Sequence, residues 1–217
     1  MPYVGNDLVD LNCPENRKKG RDSRYQEKIL TGPEIDSVRS ASDADAALWV
    51  FWACKEAAYK VLCKQTPGAA FVPRRWFVEH PEALATLSPG ESAVSRIRIS
   101  DQHSLCVNLL RFSDHIHCVA VDAPEGLSRA RYEVAPIPTA GTDPSVFIRR
   151  RLIARLAAEW NLAQADFAIV REPKSGELGP PRLFCDGVWS GLDISLSHDG
   201  LFAAYAYLGC EDSKPKG

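Results

Sequence analysis

The sequence has no apolar run near the roughly 18 residues needed to span a bilayer, so no membrane segment is expected. It has no excess of either charge. Lys+Arg number 26 and Asp+Glu 28, a formal net charge of −2, and no global field selects nucleic acid or a membrane surface. It has no C-x-x-C. Its seven cysteines are odd in number and irregularly placed, which argues for reduced thiols in a cytoplasmic protein rather than a disulfide framework or thiolate metal site. The N-terminal stretch lacks the apolar core of a secretion signal and carries Asp7 and Asp10 instead. No G-x-S-x-G surrounds any serine, so no nucleophile elbow is expected.

What is present is a globular composition, 45% hydrophobic and 25% charged over 217 residues. That length suits one large domain or two halves of about 100 residues each. A buried strand is expected at residues 3–9, then a basic segment with Arg17, Lys18, Lys19, Arg21 and Arg24. "SDADAALWVFWACKEAAYKVL" (42–62) reads as the strongest helix, with Ser42 and Asp45 as a capping pair and a broad apolar stripe. Short alternating runs from Trp76 to Asp122 read as an antiparallel sheet. The order then repeats: a helix at 146–160 is followed by the strands "FAIVRE", "PRLFCD", "DISLSH" and "LFAAYAYL". The fold class expected is α+β, two similar halves related by a pseudo-twofold axis. Residues 1–125 form the first half, 126–144 a proline-bearing linker, 145–210 the second half and 211–217 a tail.

Three constellations could carry chemistry. Asp7 lies in the apolar run "GNDLVDL", where an unpaired carboxylate costs several kcal/mol, on the order of 2–7 for a polar group and more for a charge. Asp7 with Glu56 would give a hard divalent cation two oxygen ligands. The plainer alternative is that Asp7 caps a turn and Glu56 pairs with Lys60, worth about 0.2–0.5 kcal/mol. In "KEAAYK", Glu56 and Lys60 share one helix face, while Lys55 lies about 100° away. In "DISLSHDG", Ser195 and Ser197 alternate with Ile194 and Leu196, and His198 opens a turn at Asp199-Gly200. As a nucleophile pair Ser197-His198 is poor, since neighbouring strand residues point to opposite faces. Arg74 and Arg75 add a second basic cluster suited to phosphates or an acidic partner.

Together "GNDLVDL", "WACKEAAYK" and "ISLSHDG" resemble the 4′-phosphopantetheinyl transferase superfamily, whose pattern is a G-x-D strand, a W/F-x-x-K-E-x-x-x-K helix and an S-x-S-H strand end. "RYQEKILTGPE" is similar to the R-F-x-x-R-I-L-T-x-x-E stretch of holo-acyl-carrier-protein synthases. This chain has the motif order of those short, trimeric synthases and nearly the length of the two-halved, surfactin-synthetase-type members. The resemblance therefore implies both halves in one monomeric polypeptide, with the site between them. Val9 stands where longer members often carry a third carboxylate, which implies water at that position of the metal. Pro180 stands where relatives often have a lysine, which implies Lys174 or Arg182 as the substitute.

The implied reaction moves the phosphopantetheine arm of coenzyme A to a serine of an acyl or peptidyl carrier protein, releasing adenosine 3′,5′-bisphosphate. The implied roles are Mg²⁺ on Asp7 and Glu56, Lys60 on the diphosphate, and Ser197, His198, Arg74 and Lys174 on coenzyme A. His198 would take the 3′-phosphate. Glu56 or Lys55 would take the serine proton, Glu56 being the better base because a lysine is ordinarily protonated at neutral pH. "GAAFVP" would line the pantetheine tunnel, and residues 17–24 would meet the carrier's acidic helix. A non-catalytic coenzyme A or carrier-protein binder of the same fold is the alternative.

Overall fold

Seven consecutive buried residues, alternately facing two packed layers, make Val4–Asp10 a strand covered on both sides (β1). In this computed structural model, residues 2–138, 141–174 and 177–209 are described. Two short helices follow, α1 (Ser23–Ile29) and α2 (Gly32–Ser40), then the long helix α3 (Ala44–Gln65). The cap of α3 is not the expected Ser42. Asp43 accepts Ala46 N–H at 3.1 Å, and Asp45 instead accepts Lys18 N–H at 2.7 Å and Gly20 N–H at 2.6 Å. Asp45 thus anchors the basic segment to the start of the helix.

The first sheet adds β2 (Phe77–Val78), β3 (Ser92–Ser100), β4 (His103–Arg111) and β5 (His115–Val121), with the small helix α4 (Pro81–Ala85) between β2 and β3. Helix α5 (Pro124–Arg129) leads to β6 (Arg131–Pro136) and α6 (Pro144–Trp160). The strands β7 (Phe167–Val170), β8 (Pro173–Lys174), β9 (Glu177–Leu178), β10 (Arg182–Cys185), β11 (Val188–Asp199) and β12 (Phe202–Gly209) complete the described chain.

The antiparallel sheets have orders β1-β5-β4-β3-β2 and β6-β12-β11-β10-β7. In each half the first strand lies at an edge beside the last strand, and a long helix follows the first strand. The two halves therefore share one topology, as the sequence echo implies. The expected linker at 126–144 needs correction. Residues 131–136 are the edge strand of the second sheet, where Pro136 is tolerated because an edge strand need not donate on both sides. The tail 211–217 lies outside the described residues.

Period-two alternation stacks these elements in four layers. Ile116, Cys118 and Ala120 of β5 face α3, while Val119 and Val121 meet Val4, Ala206 and Leu208 between the sheets. Ala203, Tyr205 and Tyr207 of β12 face Ile148, Leu152 and Leu156 of α6.

The seam between the halves is polar. β1 pairs with β5 on one edge, so the backbone groups on its other edge need partners. Asp193 Oδ2 accepts Val4 N–H at 2.7 Å, Ser195 Oγ accepts Asn6 N–H at 2.9 Å, and Asp199 Oδ2 accepts Asp10 N–H at 2.8 Å. Lysines of α3 take the carbonyls: Lys60 Nζ donates to Asn6 O at 2.7 Å and Lys64 Nζ to Val4 O at 2.6 Å. Lys64 Nζ also donates to Asp193 Oδ2 at 2.7 Å and Ile194 O at 2.8 Å. Burial pushes Asp193 up and Lys64 down from their ordinary pKa values, each opposed by the other's charge. Lys64→Met would leave the Asp193 carboxylate without its counter-charge in the seam. Chemical denaturation should show a loss of about 3–5 kcal/mol. A loss under about 1 kcal/mol, the value of an exposed pair, would contradict this account of the seam.

Candidate functional site

Alternation along β1 turns Gly5, Asp7 and Val9 toward α3. Gly5 permits the close approach: a Cβ there would stand 2.0 Å from Ala57 O. That approach delivers Asp7 to the helix face carrying Glu56 and Lys60. Lys60 Nζ donates to Asp7 Oδ1 at 2.8 Å, so Lys60 reaches across to β1 rather than along the helix to Glu56. Burial raises the Asp7 carboxyl above the usual carboxylate range, and the Lys60 ammonium partly opposes this. Glu56 is pushed up to about 7, first by burial and then by the Asp7 charge, against the pull of Lys60. Its carboxylate makes no hydrogen bond or ion pair among the described residues.

This donor set fits a hard divalent cation. The Asp7 charge lies close enough to raise the proton affinity of Glu56, and such a cation takes one or two carboxylates with water and ligand phosphates. No group of three or more His, Cys, Asp and Glu gathers at metal-binding distance among the described residues.

Lys55 is not brought to this site. It is fully buried, and its Nζ donates to Glu34 Oε2 at 2.6 Å and Ile29 O at 2.8 Å. Glu34, equally buried, also accepts Thr31 N–H at 2.8 Å and Val78 N–H at 2.9 Å. The physical reason is the helical offset: one residue from Glu56 is far enough around to enter the core. The expectation that Lys55 could serve as the base is corrected accordingly. Its ammonium ties α1, α2 and α3 together.

The S-x-S-H strand divides its side chains between two faces. Ser195 and Ser197 face β1, and Asn6 Nδ2 donates to Ser197 Oγ at 2.9 Å. The Ser197 hydroxyl hydrogen remains to donate onward. His198 turns to the α6 side of the sheet and is exposed. Arg74 is exposed on a short turn of 3₁₀ helix, Pro73–Arg75. The Lys174 side chain lies outside the described residues. Arg182 is exposed and lies 3.5 Å from Glu172. Thus Asp7, Glu56 and Lys60 come together, and Ser197 joins them through Asn6.

Beside this site an aromatic wall runs along α3. Phe71 of the "GAAFVP" loop has its ring 4.9 Å from Tyr59, 5.4 Å from Trp76 and 5.6 Å from Trp52, centroid to centroid. Tyr25 lies 6.4 Å from Trp52, and the Glu56 charge contributes to its raised pKa. Arg17, Lys18, Arg21 and Arg24 are exposed in the segment leading to Tyr25, and Lys19 Nζ lies 5.4 Å from the Tyr25 ring centroid.

Residues that sequence reasoning passed over are Asn6, Glu34, Lys64 and Asp193. Glu34 had a local signal, since T-x-x-E at 31–34 is a capping-box spacing. The others are polar groups in apolar runs, where burial demands a partner that no local pattern names.

A family model described as the 4′-phosphopantetheinyl transferase superfamily matches residues 3–120. No curated protein matches the chain. The matched stretch runs from β1 to the end of β5 and contains Asp7, Glu56 and Lys60, but not β11.

Glu56 sets a pH signature for the metal-free protein. The folded state holds its proton up to about 7, whereas the unfolded chain releases it near the ordinary glutamate value of 4.5. The folded state therefore binds more protons between these values, and stability falls as pH rises through them. Glu56→Gln should remove this slope and leave the variant more stable than the parent at pH 8, by on the order of 1–2 kcal/mol after allowing for partial solvent access. Denaturation at pH 5, 6, 7 and 8 in EDTA tests it, and parallel curves for the two proteins would refute the assignment.

Proposed function

The chain belongs to the 4′-phosphopantetheinyl transferase superfamily, and from that premise we propose that it transfers the phosphopantetheine arm of coenzyme A to a serine of an acyl or peptidyl carrier protein. Adenosine 3′,5′-bisphosphate is the other product. The observation that carries this reading is the grouping of Asp7, Glu56 and Lys60 where β1 meets α3, with the Glu56 carboxylate making no hydrogen bond among the described residues and pushed to about 7.

Each residue has a task. Asp7 and Glu56 hold Mg²⁺, which when bound neutralises charge on the diphosphate. Lys60, partly exposed beside Asp7, takes a diphosphate oxygen as a mobile point charge. The carrier serine attacks the β-phosphorus, and the P–O bond to the adenosine-bearing phosphate breaks. The serine proton passes to Glu56, directly or through a water. Ser197 donates its hydroxyl to a phosphate while Asn6 holds its oxygen. His198 takes the 3′-phosphate at the hairpin end. The aromatic wall of Trp52, Phe71 and Tyr59 receives the uncharged pantetheine arm, and the exposed Arg17, Lys18, Arg21 and Arg24 face the acidic carrier. The retained Asp7, Glu56 and Lys60 favour catalysis over a purely binding role.

Intact-mass spectrometry of apo carrier proteins incubated with the protein, coenzyme A and Mg²⁺ tests the reading. The expected result is a phosphopantetheine mass gain that EDTA abolishes and Glu56→Gln slows by at least about 100-fold, the usual scale for a lost general base. Coenzyme A binding with no mass gain on fatty-acid, polyketide or peptide carriers would replace the transferase with a non-catalytic binder.

A further inference from the structure

The C-terminal end of β1 and the β11–β12 turn are held by reciprocal hydrogen bonds. Asp10, 2% exposed, accepts Leu201 N–H at 2.9 Å on Oδ2 and Asn12 N–H at 2.8 Å on Oδ1. In return, Asp199 Oδ2 accepts Asp10 N–H at 2.8 Å and an Asn16 Nδ2 hydrogen at 2.6 Å. Asn16 Nδ2 also donates to Asp10 O at 2.8 Å, and Asn16 O accepts the Trp49 Nε1–H at 2.7 Å, which ties the clasp to α3. Gly200 sits inside it with φ +52°, and a Cβ there would stand 2.2 Å from Asp10 Oδ2. Each aspartate thus binds the backbone of the other's element, and the turn closes around a position where a side chain does not fit.

The residue preceding this clasp is His198, whose exposed imidazole makes no hydrogen bond or ion pair among the described residues. An unsupported hairpin tip would let that imidazole sample many positions. Here the turn is pinned on both sides of Gly200, by the Asp199 carboxylate and by Leu201 N–H. Both Asp10 oxygens and Asp199 Oδ2 accept N–H donors and so are engaged within the protein.

We propose that Asp10, Asp199 and Gly200 are positioning residues, which hold the β11–β12 turn so that His198 meets the 3′-phosphate of coenzyme A. This rests on the reading of His198 given above. The hydrogen bonds of the clasp involve none of Asp7, Glu56 and Lys60, so its effect is read in which donor binds.

The test is calorimetric binding of coenzyme A and 3′-dephospho-coenzyme A, in Mg²⁺ and without carrier protein. The parent protein should bind coenzyme A about tenfold tighter or more, the scale of one charge-assisted contact. In Asp199→Ala and in Gly200→Ala that ratio should fall to within about twofold of unity, the level set by His198→Ala. Asp199→Asn should keep the preference, because one amide oxygen can still accept both N–H donors. The double variant Asp199→Ala/His198→Ala should be no worse than His198→Ala. Thermal melts accompany each variant. Should Gly200→Ala fail to fold, Asp199→Ala carries the test, since removing that partly exposed side chain creates no clash. An undiminished ratio in Asp199→Ala, a loss as large in Asp199→Asn, or a parent that does not discriminate would each overturn the proposal. Failure of the transferase reading is seen separately, as absent mass gain on carriers while the donor ratio is still measured.

Discussion

The free edge of β1 is the constraint on which the rest of the structure depends. A buried strand cannot leave its outward N–H and C=O groups unpaired. No further strand lies beyond it in the first sheet. Side chains take that place: Asp193, Ser195 and Asp199 accept its N–H groups, while Lys60 and Lys64 cap its carbonyls. One strand is thereby locked to its own helix and to the opposite half. The line along which the halves meet is also the line along which Asp7, Lys60 and Ser197 gather.

This arrangement makes several residues serve two ends. Ser195 and Ser197 present a polar strand face suited to phosphate, yet each also satisfies Asn6. Lys60 offsets the buried Asp7 and supports a backbone carbonyl. Glu56 has no such partner among the described residues, and burial beside a second carboxylate keeps its proton affinity high. The Asp7 charge that raises Glu56 is one that a divalent cation would offset. That answers how an aspartate persists in an apolar strand: Lys60 compensates it in the protein alone.

The two lysines of "KEAAYK" show how far helix periodicity decides a role. Lys60 is one turn from Glu56 and shares its exposure to the site. Lys55 is one residue away, and that offset sends it into the core against Glu34. The spacing alone was sufficient to separate their faces. Whether the second face met solvent, ligand or core depended on α2 and its Glu34, which the local pattern did not reveal.

The sequence by itself determined the α+β class, the repeated helix-then-sheet order, and the pairing of Glu56 with Lys60 on one face, because these follow from periods of 3.6 and 2 that need no distant partner. It also named Asp7, through the cost of a carboxylate among Val4, Leu8 and Val9. Tertiary structure alone decided that residues 131–136 pair as an edge strand, that Lys55 is buried on Glu34, and that Lys64 seals the halves through Asp193. Those outcomes rest on contacts between segments 21 to 129 positions apart, or on sheet pairing set by the whole second half. Asp10 shows the limit: it stands in "GNDLVDL", but nothing local names its partner across 191 positions. A buried polar group announces that it needs a partner, and only the folded chain supplies its identity.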